Sequence, residues 1–121
     1  MLAMPDAESL LPLSPAVFHI LLALADEDRH GYAIMRDVDD RTGGVVRVGP
    51  GMLYGSIKWL VKDHFIEEAP RPRRGDRAGD DPRRRYYRLT ADGRALLKAE
   101  AARLEAAVGL ARSRRVLPRR A

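Results

Sequence analysis

Residues 70–83 read Pro-Arg-Pro-Arg-Arg-Gly-Asp-Arg-Ala-Gly-Asp-Asp-Pro-Arg. One alanine is the only apolar side chain in this stretch, so it offers no face to bury and no period to follow. It is therefore a loop. On either side stands a short run of β character, Phe65 to Ala69 before it and Arg84 to Leu89, with Tyr86 and Tyr87, after it. Two strands joined by a long basic loop make a hairpin with a projecting tip. A chain of 121 residues is one domain on size, so the hairpin is an appendage on a body that otherwise reads mostly as helix.

The helices carry their own punctuation. Residues 1–13 are a loose arm. Ser14-Pro15 is an N-cap followed by proline in the first turn, and the first helix runs from Pro15 to about Ala25, apolar around most of its circumference. The second begins near His30-Gly31 and ends at Thr42-Gly43-Gly44, a C-cap signal, with Ile34, Met35 and Val38 as its buried stripe. Val45 to Val48 is a short β-like run. The third helix runs from Pro50 to about Asp63. At 100° per residue, Leu53, Ile57, Leu60 and Val61 share a core arc, while Gly51, Gly55, Lys58 and Lys62 lie opposite, flanked by Met52, Trp59 and Tyr54. Thr90 caps the fourth helix, which continues to about Arg112. In it Leu97, Ala101, Leu104, Val108 and Ala111 recur at spacings of four and three, a heptad seam.

This order predicts a mainly α fold with a small β-hairpin: a winged helix-turn-helix over residues 14–89, a long C-terminal dimerisation helix over 90–112, and a basic, disordered tail over 113–121. Charge is polarised along it. Residues 1–70 hold 6 basic and 11 acidic side chains, residues 71–88 hold 8 and 3, and residues 89–121 again 8 and 3. Arginine gathered in one region of a chain suits a polyanionic partner. The chain has no cysteine, which excludes disulfides, thiolate zinc sites and cysteine nucleophiles. His19, His30 and His64 are scattered, so no metal site is expected, and His19 reads as a core histidine with its hydrogen bonds satisfied. No phosphate-cradling glycine loop, metalloprotease motif or nucleophile elbow occurs, and the chain is expected to be neither an enzyme nor a cofactor carrier. The acidic N-terminus lacks the basic stretch of a leader, and the expected location is cytoplasmic.

Several segments resemble the PadR family of bacterial regulators. They are Leu13-Ser14-Pro15-Ala16, His30-Gly31-Tyr32-Ala33-Ile34, Gly51-Met52-Leu53-Tyr54, Lys62-Asp63, and Arg84-Arg85-Tyr86-Tyr87-Arg88-Leu89-Thr90 with Gly93. The similarity covers roughly residues 13–110. The resemblance implies winged-helix DNA binding, dimerisation through C-terminal helices and, in many members, repression relieved by a small molecule. Its pattern usually has threonine or serine where Met52 stands, so this chain has no hydroxyl there to donate to a phosphate. It usually has glycine where His64 stands, at a left-handed position.

The expected DNA-contacting residues are Tyr32, Gly51, Met52, Tyr54, Gly55, Lys58, Lys62, Arg73, Arg74, Arg84 and Arg85, with Arg71, Arg77 and Arg83 in the same basic wing. The glycines let backbone approach DNA, Tyr54 can bond a phosphate, and the cations neutralise phosphates. The expected partner is double-stranded operator DNA with an inverted repeat, bound by a homodimer, with a small-molecule or stress signal as the releasing agent. The alternatives are a general nucleic-acid binder, including an RNA binder, and an interaction module whose heptad helix binds a different protein. Trp59 reads equally as an exposed DNA contact or as packing.

Overall fold

The computed structural model describes residues 7–72, 81 and 83–119. After a short 3-10 turn (Ala7–Leu10) come α1 (Pro15–Ala23), β1 (Arg29–His30), α2 (Gly31–Thr42), α3 (Pro50–Lys62), β2 (Ile66–Ala69), β3 (Tyr86–Leu89) and α4 (Ala91–Ser113). The caps read from the sequence are in place. Ser14 Oγ accepts the Val17 N–H at 3.1 Å, and Thr90 Oγ1 accepts the Gly93 N–H at 3.0 Å. Gly43 closes α2 in the left-handed region with φ 61°, where a side chain would be strained. His64 turns the chain out of α3 with φ 64°, an ordinary cost for histidine.

The three strands form an antiparallel sheet in the order β1-β3-β2. β3 pairs Leu89 with Ile66 and Tyr86 with Ala69 on one edge, and Tyr86 with His30 on the other. The third strand is thus Arg29–His30 and not Val45 to Val48. Thr42 explains why the valine run stays a turn: its hydroxyl accepts the Val46 N–H at 3.1 Å and donates to the Val38 carbonyl at 2.8 Å. Val45 is 86% exposed, Val46 is half-buried against the core and Val48 is buried in it.

Ile20, Leu21, Ile34, Leu53, Leu60, Ile66 and Leu96 are wholly buried and knit α1, α2, α3, β2 and the start of α4 into one core. α3 turns slightly from its expected orientation, for Ser56 is buried while Val61 is exposed. Trp59 is half-buried and packs edge-on against Phe65 with ring centres 6.3 Å apart. His19 departs from expectation: its Nδ1 is buried with no hydrogen-bond partner among the described residues. Burial, aided by Arg41, holds its pKa below the ordinary histidine value.

The join between wing and α4 has no slack. A Cβ on Gly93 would lie 1.8 Å from the Phe65 carbonyl oxygen, so α4 starts with its backbone against that of the residue preceding β2. Thr90 ties the same corner, donating its N–H to the Phe65 carbonyl and its hydroxyl to the His64 carbonyl. Further along, α4 is pinned to the N-terminal arm by Glu100, which is 1% exposed. Its Oε2 accepts the Leu13 N–H at 2.8 Å, and Arg103 donates to both carboxylate oxygens. The Arg103 hydrogen bonds, then the Leu13 N–H, hold this carboxyl below its ordinary range against the opposing effect of burial.

A basic, aromatic face between the second and third helices and the wing

The face opposite the α3 core arc is open. Gly51, Met52, Tyr54, Gly55, Lys58 and Lys62 are all exposed, with Met52 57% and Tyr54 51% accessible. No side chain caps the N-terminus of α3 at Gly49, so the first turn presents its amides to an anion. Tyr54 leans back across the start of α2. A Cβ on Gly31 would lie 2.6 Å from its hydroxyl, so glycine at 31 is what lets the phenol settle there.

Next to Tyr54 lies an open basin of about 520 Å³ lined by His30, Gly31, Tyr32, Tyr54, Asp81, Arg83, Arg84, Arg85 and Tyr87. It gathers four expected DNA-contacting residues, Tyr32, Tyr54, Arg84 and Arg85, from three separate stretches of chain. A neighbouring hollow of about 310 Å³ adds Lys58 beside Tyr54 and Arg85. Gly51, Met52, Gly55 and Lys62 lie along α3 outside both hollows. Arg73 and Arg74, like Arg77, fall outside the described residues. Arg71 reaches the base of the wing, its guanidinium 5.7 Å from the Tyr86 ring centre.

The cations of this face differ in how they are held. Arg83 is clasped by Asp81 through Nε and Nη2 at 3.2 Å each, which holds Asp81 below the ordinary carboxylate value. Arg88 faces Glu67 across the hairpin at 3.3 Å. No ion pair engages Lys58, Lys62 or Arg85 among the described residues. Cations without internal partners are the ones available to neutralise phosphates.

Two contributors were not singled out from the sequence. His30 caps α2, its Nδ1 accepting the Ala33 N–H at 3.1 Å, and its Nε2 lies 3.2 Å from Arg84 Nη1. Arg36 stands over the Tyr32 ring at 6.0 Å. The spacing of Tyr32 and Arg36, one helical turn apart, carried that signal. Nothing local marks a histidine as an N-cap.

The heptad positions of α4 divide. Leu97 is 6% exposed within the chain's own core, so the seam does not begin there. Ala101, Leu104 and Val108 are exposed and Ala111 is half-buried. Every residue from 101 to 110 is exposed, including Leu104 at 36%, Val108 at 41% and Leu110 at 52%. The expected disordered tail is ordered at least to 119. Arg115 takes φ 64° and the Val116 N–H returns to the Ala111 carbonyl at 2.8 Å, closing the helix. Among the described residues no helix is long and apolar enough to cross a membrane.

Residues 20–99 match the family described as the transcriptional regulator PadR-like family. A protein of Lysinibacillus sphaericus described as uncharacterized is 33% identical over 78 residues, covering 64% of this chain and 67% of its own. The fold is shared with a PadR family transcription regulator from Clostridium difficile, at TM-score 0.65 and 20% identity over 83% of this chain and 97% of that one. RosR of H. salinarum superposes at TM-score 0.57 with 27% identity, over 83% and 78%. Bacillus subtilis PadR, solved in complex with operator DNA, superposes at TM-score 0.59 with 22% identity, over 73% and 47%. The two glycines set against neighbouring groups, the basic aromatic face and the family match over residues 20–99 lead to one assignment: the chain belongs to the PadR-like family of DNA-binding transcriptional regulators.

Proposed function

We propose that this chain is a repressor that grips an inverted-repeat operator as a homodimer. In this reading α3 lies in the major groove, and the wing, through Arg84, Arg85 and the arginines beyond them, meets flanking phosphates or the minor groove. The observation that carries it is the convergence of Tyr32, Tyr54, Arg84 and Arg85 on one basin beside the uncapped start of α3. The exposed apolar run Ala101, Leu104 and Val108 supports pairing with a second copy, the most available partner for such a seam. Two-fold pairing sets the recognition helices one DNA turn apart, about 34 Å, and makes the operator an inverted repeat. Release by a small-molecule or stress signal follows from family resemblance.

The test is selection of bound duplexes from a random pool, followed by binding titrations on the enriched site. An operator preference of about 10³-fold or more over random duplex is expected. Tyr54→Ala and Lys58→Ala weaken binding while the melting temperature holds. Replacing Arg84 and Arg85 with serine lowers the salt slope by about 0.9 for each phosphate that is no longer neutralised. Enrichment of a single, non-repeated half-site overturns the dimer geometry, and unchanged affinity in both α3 variants overturns the recognition-helix assignment.

A further inference from the structure

Arg84 lies two residues before β3, and it is seated on α2. Its guanidinium lies 5.9 Å from the centre of the Tyr32 ring and its Nη1 is 3.2 Å from His30 Nε2. The seat is itself held. The His30 and Tyr32 rings lie nearly parallel, 10° apart with centres at 6.5 Å, and Tyr86 meets the His30 ring edge-on at 5.2 Å. The β1–β3 pairing of His30 with Tyr86 fixes the backbone beneath. A long arginine on a wing otherwise loses rotamer freedom when it meets DNA, a cost of about 0.5–1.5 kcal/mol per immobilised side chain. A guanidinium already seated over a ring face has met much of that cost before DNA arrives.

We propose that His30 and Tyr32 are a positioning seat for Arg84: the start of α2 pre-sets this wing arginine for a DNA phosphate and so couples the helix-turn-helix to the wing. The inference rests on the reading of this face as the DNA interface. His30 has two duties in the structure, since its Nδ1 also accepts the Ala33 N–H that caps α2. A neutral imidazole has one acceptor nitrogen, so a given tautomer makes either the cap or the Arg84 hydrogen bond, and substitution separates the two. Asparagine places its acceptor where Nδ1 stands and is a favoured N-cap. Glutamine reaches the place of Nε2 and caps poorly.

The experiment measures the affinity of the full chain for a fluorescent random-sequence DNA duplex at low salt, because any duplex supplies phosphates. Melting temperature is recorded for every variant. His30→Asn is expected to keep its melting temperature and lose about three- to tenfold in affinity. His30→Gln is expected to bind more tightly than His30→Asn and to melt lower. In an Arg84→Ala background, His30→Asn is expected to add no further loss. The opposite ranking, with asparagine binding as wild type and glutamine weakened, reduces His30 to a helix cap and overturns the seat. An equal loss from His30→Asn with and without Arg84 overturns it as well. Lys58→Ala and Arg84→Ala are the references. If neither weakens binding, the interface reading falls and the seat with it. If both do and His30→Asn does not, the seat alone falls.

Discussion

The two halves of α4 live in different environments. From Ala91 to Glu100 the helix turns Gly93, Leu96, Leu97 and Glu100 into the core, while from 101 to 110 no residue is covered. One continuous helix, Ala91–Ser113, carries both halves. The change occurs because the rest of the chain ends beneath Glu100, where the N-terminal arm is tied by the Leu13 amide. A heptad pattern records that a face will be buried, not by whom. Leu97 satisfies the pattern inside its own protomer, and Leu104 and Val108 satisfy it only if something else arrives.

That contrast can be broken in order of expected effect. Leu96→Ala, in the covered half, is expected to cost about 2–5 kcal/mol, read from chemical denaturation, because Leu96 is wholly buried. A cost below about 1 kcal/mol removes the distinction. Leu104→Glu, in the open half, sets like charges face to face across the proposed seam. It is expected to weaken dimerisation by about 100-fold or more, near 2.7 kcal/mol, and to abolish operator binding while circular dichroism holds. A variant still dimeric at micromolar concentration by sedimentation places the interface elsewhere.

Glu100 lies at the boundary. Its carboxyl is held below the ordinary value in the folded chain, chiefly by Arg103, so the stability it adds is present above the unfolded-state value near 4.3 and is lost as pH falls through the folded-state value. Glu100→Gln is expected to cost about 1–2 kcal/mol at neutral pH and to flatten the acid limb of stability against pH; an unchanged limb assigns acid sensitivity to other carboxylates. Leu110→Ser is the smallest change, within about 0.5 kcal/mol for both folding and dimerisation, because Leu110 lies off the heptad. A large loss of dimer from this variant shifts the register of the seam.

How legible the molecule was depends on where the determining interaction lies. Ser14, Thr90 and the Gly43-Gly44 pair act on the residues next to them, and the helix ends they mark are where the sequence puts them. β1 has only two residues, so it has no period; it exists because β3 offers an edge. Val45 to Val48 has strand composition but spends a backbone amide on Thr42. Val61 left the core arc and Ser56 entered it because a 100° wheel leaves the arc's borders to tertiary packing. On the basic, aromatic face, the exposure of Tyr54, Lys58, Arg84 and Arg85 followed from outward direction and charge. The contact of His30 with Arg84 joins residues 54 apart in the chain, and no local rule reaches that far.

Gly93 gives the second half of α4 a mechanical meaning. The helix has 23 residues, which at 1.5 Å per residue is a rod about 34 Å long, set at its base by one backbone pressed on another and held again at Leu96, Leu97 and Glu100. A turn of roughly 5° at that base moves the far end by about 3 Å, comparable to the rise of one base pair along the DNA axis. Backbone cannot change rotamer to absorb an added methyl group, so a side chain at position 93 would be taken up as rotation of the rod. If the chain pairs as proposed, the gauge of the dimer, and with it the operator spacing it can span, would then be set at a corner outside both proposed contact surfaces.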